Sequence, residues 1–189
     1  MALYAFDGEL ARAVRVASNP LMGEIRLTWW REAVDEIHGR GPVRHHPVVA
    51  ALADVVARHR LDTTALDAMI EARMAELEPG VLTAQAGWSL ALATTGQAAV
   101  LAAQILDPHT DCEAAREAGA LWGLARLIAA GRVSPMALPL ASARRAARSL
   151  SITAFPAIAH ATLARPMGRP VSNAGRRLRL VLASALGRI

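Results

Sequence analysis

Apolar residues recur along the chain at helical intervals. Over residues 3–17, Leu3, Phe6, Leu10, Val14 and Ala17 follow steps of three, four, four and three, which makes one stripe, and Ser18-Asn19-Pro20 ends it. Over 21–38, Ile25, Trp29, Ala33 and Ile37 stand four apart, and Gly39-Arg40-Gly41-Pro42 closes this second amphipathic helix. Pro47 suits the first position of a helix running through 48–59, and Asp62 or Thr63 can cap another that runs to about residue 77, before Pro79-Gly80. The stretch 81–106 carries no charge. It predicts a buried central helix rather than a membrane span, because it is rich in small residues and interrupted by Gly87 and Gly96.

Asp111 caps the next helix, with Glu113 and Glu117 near its positive end, and the pattern runs through Trp122 to about residue 130. A break over 131–139 leads to a short arginine-rich helix over 141–149 and a segment over 155–163 kinked by Pro156. A turn at Arg165-Pro166-Met167-Gly168-Arg169-Pro170 then precedes a last helix over about 173–187. No run alternates with strand period. The expectation is an all-α fold, one helical domain over 1–189.

Composition agrees. Of 189 residues 42 are alanine, while aromatics make up only 4%, so the apolar content favours helices over sheets. The single cysteine, Cys112, allows no internal disulfide, and the N-terminal residues lack the basic flank of a secretory signal, which points to the cytoplasm. Charge divides the chain unevenly. All 16 acids fall within 1–117, beside 10 arginines, whereas 118–189 holds 11 arginines and no acid. Lysine is absent, so every fixed cation is a guanidinium, the group shaped for bidentate contact with phosphate or carboxylate.

Ready-made catalytic signatures are missing: no phosphate loop after a strand, no nucleophile elbow, no His-Glu-x-x-His helix. His45-His46 is an adjacent loop pair with no third ligand in view, a poor metal site, and His160 reads as a surface or half-buried histidine. Trp29-Trp30 directs one indole to the core and the other about 100° round the helix, toward a partner or a cleft, unless both are simply packed between helices.

The stretches ALYAFDGELARAVRVASNPLMGEIRLTWWREAVDEI (2–37) and HPVVAALADVVARHRLDTTALDAMIEARMAEL (46–77) resemble the squalene/phytoene synthase family. They are most similar to the bacterial branch that reads Leu-Tyr-Ala-Phe, Gly-Glu-Ile-Arg-Leu and Trp-Trp-Arg, a branch similar to the domain in a mitochondrial complex I assembly factor. AFPAIAHATLARP and GRRLRLVLASALGRI resemble its C-terminal end. The resemblance implies a helical bundle of the isoprenoid-synthase type, here short and truncated. It also implies a reaction in which Mg²⁺ holds two prenyl diphosphates for head-to-head condensation.

The departures from that pattern bear on chemistry. The family's first Asp-rich cluster, counted from Tyr4, falls on Ala11, Arg12 and Arg15, none of them acidic. The second precedes a stretch similar to Gly131-Arg132-Val133 and Leu138-Pro139, and no Asp or Glu exists from 118 onward. Mg²⁺ needs hard carboxylate oxygens, so no cofactor is expected, and Tyr4, Arg12, Arg15, Arg126 and Arg132 become candidates for binding a diphosphate or lining an apolar cavity.

The leading expectation is a non-catalytic, scaffold or assembly-type protein that binds a prenyl diphosphate or another apolar ligand. The alternative is an active prenyltransferase that depends on Mg²⁺ and an unusual acid set of Asp7, Glu9 and Glu24, of which Asp7 and Glu9 lie about 200° apart on a helix. Arg144, Arg145 and Arg148, with Arg176, Arg177 and Arg179, form two basic clusters suited to an anionic membrane surface or an acidic protein partner. Without aromatic interleaving beyond Phe155 they do not suit nucleic acid, and a place peripheral to the inner membrane is compatible with them.

Overall fold

The computed structural model describes residues 1–164 and 172–187, so the turn expected at Arg165–Pro170 lies outside the described residues. The described residues are all-α, with no strand, consistent with the isoprenoid-synthase type of bundle. They pack as two compact units, Met1–Pro79 and Gly80–Ile189.

The first unit contains α1 (Ala2–Arg15), α2 (Pro20–Asp35), α3 (Pro47–His59) and α4 (Thr64–Ala75), with a π-helical turn at Glu36–Arg40 after α2. At α2 and α4 the helix starts carry side-chain bonds to nearby N–H groups. Asn19 accepts the Met22 N–H at 3.0 Å ahead of Pro20. Of the two candidate caps before α4 it is Asp62 that accepts, from the Thr64 N–H at 2.9 Å and its hydroxyl at 2.6 Å. On α1 the buried face is Leu3, Phe6, Asp7, Leu10 and Ala13, close to the expected stripe but with a carboxylate inside it.

On α2 the expected stripe is corrected. The buried residues are Gly23, Leu27, Trp30, Ala33 and Val34, whereas Ile25 is 54% and Trp29 37% exposed. At Gly23 the Leu77 side chain packs against bare backbone, closer than a Cβ would leave it.

The second unit centres on α7 (Cys112–Ala129), against which pack α5 (Ala84–Ala91), a π-helical turn (Leu92–Gly96), α6 (Gln97–Leu106), α8 (Leu140–Ser149) and a 3₁₀ helix (Phe155–Leu163). The last helix, α9 (Asn173–Leu186), rests on the 3₁₀ helix. Asp111 caps α7 through the Ala114 N–H at 3.0 Å, as its position predicts.

Gly87 and Gly96 do not break the charge-free segment: Ala84–Leu106 is helical throughout and is the one helix among the described residues long and apolar enough to cross a membrane, with half of its most apolar window buried. Gly87 packs against the Val133 side chain, and Gly96 with Gly123 of α7 serve a close crossing. A Cβ on Gly96 would lie 2.7 Å from the Arg116 carbonyl oxygen, and one on Gly123 would lie 2.7 Å from Thr95 Oγ1. The crossing with α7 therefore depends on missing side chains. Gly123→Val is expected to destabilise the protein by about 1–3 kcal/mol in thermal unfolding, because Thr95 and Ala91 on the facing segment leave no room for the added methyls.

Candidate functional site

The first unit holds two groups of chemistry-bearing side chains. One is internal. Arg73 on α4 donates to Asp7 Oδ1 at 3.0 Å and to Glu76 Oε2 at 2.6 Å, and the three residues are only 4–8% exposed. Burial alone pulls the guanidinium down, but the charges of Asp7 and Glu76 outweigh it and the net effect raises it. Tyr4, one turn before Asp7 on α1, has its phenol pushed up by burial and by the charge of Asp7, so it stays protonated through the physiological range. Tyr4 thus belongs to the surroundings of this cluster.

The other is a groove of about 280 Å³ between α1 and α2, lined by Glu9, Arg12, Ala13, Val16, Arg26, Trp29 and Trp30. Helical spacing explains the lining: Glu9, Arg12, Ala13 and Val16 share one face of α1, while Arg26, Trp29 and Trp30 share one face of α2. Trp30 is the floor, 5% exposed and edge-on to Phe6 at 5.6 Å. Trp29 forms a wall, perpendicular to Trp30 at 5.0 Å.

The wall is braced from behind. The Arg44 guanidinium lies 4.6 Å over the Trp29 ring and donates to the Trp29 carbonyl at 3.0 Å, to Glu36 at 2.6 Å and to Glu32 at 3.3 Å. Hydrogen bonding from Arg44 holds the Glu36 carboxyl below its usual range. His46 completes the brace, its ring 5.4 Å from Trp29 and 5.2 Å from Trp30, while its Nδ1 caps α3 by accepting the Val48 N–H at 3.3 Å.

The charged lining is predominantly cationic. Arg12 stands 3.6 Å from Glu9, which uses the one carboxylate of the groove. Arg26 Nη1 is buried and has no hydrogen-bond partner among the described residues. The combination of two guanidiniums and two indoles suits a ligand with an anionic end and an apolar body.

Of the residues singled out from sequence, Arg12 lines the groove and Arg15 is exposed near the C-terminal end of α1, outside it. Arg126 and Arg132 belong to the second unit, Arg126 half-buried on α7. Arg132 donates from Nη1 to the Gly80 carbonyl at 2.9 Å, and its own carbonyl accepts the Leu82 N–H at 2.7 Å, so it ties 80–82 to 131–133. Asp7, Glu9 and Glu24 are separately engaged: Asp7 with Arg73, Glu9 beside Arg12, Glu24 exposed on α2. Among the described residues no three His, Cys, Asp or Glu are grouped to hold a metal ion. His45 is exposed, His46 caps α3, and His160 is half-buried. Arg26 was not singled out. Its signal was present in the sequence, three residues before Trp29 on one helix face.

An all-α chain whose first unit carries this groove fits a family of helical synthases. The family model for squalene/phytoene synthase matches residues 1–130, and the chain belongs to that family. It is also similar to the NADH dehydrogenase (ubiquinone) complex I, assembly factor 6, of Bos taurus, 35% identical over 77 residues. That match covers 41% of this chain and 23% of the relative, so the chain spans less than a quarter of the relative's length. No solved structure matches the chain.

Proposed function

We propose that this chain is a non-catalytic member of the squalene/phytoene synthase family, a binding scaffold that holds an anionic, partly apolar ligand such as a prenyl diphosphate without turning it over. The observation that carries this reading is the charge of the groove: Arg12 and Arg26 line it, and its single carboxylate, Glu9, lies beside Arg12. This donor set does not fit the Mg²⁺ that the family implies. A guanidinium about 6 Å from a divalent ion, at an effective dielectric near 20, costs on the order of 5 kcal/mol, or nearly four decades of metal affinity. The same guanidiniums hold a diphosphate directly through charge-assisted hydrogen bonds. A relative that is an assembly factor for NADH dehydrogenase supports a role in interaction rather than turnover.

Thermal unfolding tests this. Millimolar Mg²⁺ is expected to leave the midpoint unchanged, because a solute that does not bind the folded state gives no stabilisation. Metal-free pyrophosphate is expected to raise it, by the equivalent of about 2.7 kcal/mol at a hundredfold excess over Kd, and Arg26→Gln is expected to reduce that rise. A shift that requires Mg²⁺ and diphosphate together would return the protein to the active prenyltransferase reading.

A further inference from the structure

The helix α9 has two unlike sides. Ala183 is buried against the 3₁₀ helix, with Leu180 packed beside it. The opposite side carries Leu178, Val181, Leu182 and Leu186, which are 58, 64, 48 and 65% exposed. At about 100° per residue these four side chains cover an arc of roughly 140°. On the same wheel Arg177 and Arg179 fall just outside its two edges, and Arg176, also exposed, lies farther round. The helix is closed at both ends, by Ser172, which accepts the Gly175 N–H at 3.1 Å, and by Gly187 in the left-handed conformation. Its 14 residues make a rod of about 21 Å, too short to cross a bilayer and long enough to lie along one.

We propose that α9 lies flat in the headgroup layer of an anionic membrane, with Leu178, Val181, Leu182 and Leu186 inserted among the acyl chains and Arg177 and Arg179 on lipid phosphates. The border arginines favour lipid over a protein partner. Their aliphatic stems extend the apolar arc while the guanidiniums reach back to the phosphate plane on both sides, as a flat interface requires. Repulsion from the rest of the unit is small: residues 80–189 carry twelve arginines and four acids, none of the acids beyond Glu117. Of those acids, Asp107 and Asp111 accept from Ser151 and Ser149, and Glu113 is paired with Arg116. The inference is independent of the groove and of whether the chain is a catalyst.

The test uses the full chain and flotation with vesicles of phosphatidylcholine alone or with about a third phosphatidylglycerol. Binding is expected with the anionic vesicles and to weaken steeply as salt rises above about 0.1 M. Each arginine near an anionic surface changes partitioning about fivefold, so Arg177→Gln with Arg179→Gln is expected to weaken it on the order of 25-fold. Leu178→Ser with Leu182→Ser is expected to abolish the binding that persists at high salt; both sites are exposed, so the fold is not at risk. A polarity-sensitive dye on Leu182→Cys, in a Cys112→Ser background, is expected to shift to the blue with anionic vesicles only. Equal binding to neutral vesicles, binding indifferent to the α9 variants, or an unshifted dye would overturn the proposal. So would a dimer that Leu178→Ser and Leu182→Ser dissociate, since a second copy would then be what covers the arc.

Discussion

Arg73→Met is expected to cost on the order of 3–5 kcal/mol of stability and to leave the first unit largely unfolded under conditions where the parent chain is folded. The methionine fills much of the same volume, so the cost is electrostatic. The Asp7 and Glu76 side chains are 5% and 9% exposed, and with Arg73 gone neither keeps the cation that faces it at 3.0 and 2.6 Å. Taking a shared cation away from two buried carboxylates is far less favourable than losing one surface ion pair, whose worth is about 0–1 kcal/mol. A control separates this from lost packing. Adding Asp7→Leu and Glu76→Leu to Arg73→Met removes the charges together and is expected to recover most of the loss, because an apolar replacement of a whole buried ion cluster is often close to neutral. Urea unfolding followed by circular dichroism reads both results, and a single-variant loss below about 1 kcal/mol would contradict the internal role given to the triad.

The helices and their ends were legible in the sequence because period and punctuation act locally. Asn19-Pro20, Asp62 and Asp111 start helices through side-chain bonds to nearby N–H groups, and no distant residue is needed to read them. The buried face of α2 was not legible. The four-apart stripe of Ile25, Trp29, Ala33 and Ile37 is more apolar than the buried set of Gly23, Leu27, Trp30, Ala33 and Val34, and the covered face depends on packing partners distant in sequence, such as Leu77 against Gly23, 54 residues away. Asp7 was equally opaque, since a carboxylate in an apolar stripe makes sense only once Arg73 is known to meet it. Gly87 and Gly96 read as interruptions of a helix when they are the places where neighbouring elements come close. Of the candidate site, Arg12 was reached through the family pattern; which indole is buried was not legible, since the expected stripe took Trp29 and it is Trp30 that is buried, and the groove itself joins α1 to α2 and adds Arg26.

The most direct measurement of the non-catalytic reading is turnover. Purified chain given farnesyl or geranylgeranyl diphosphate with millimolar Mg²⁺ is expected to release no pyrophosphate above background. Ionising an allylic diphosphate needs divalent metal on the leaving group, and the metal needs carboxylates, which the groove supplies only as Glu9 beside Arg12. Restoring acids at the first motif positions, as Ala11→Asp with Arg15→Asp, is expected not to rescue the reaction. Half a coordination set remains incomplete, because residues 118–189 contain no acid to form the other half. Absence of product from both the unmodified and the substituted chain is the predicted result; steady, Mg²⁺-dependent formation of a head-to-head C30 or C40 product by the unmodified chain would contradict it.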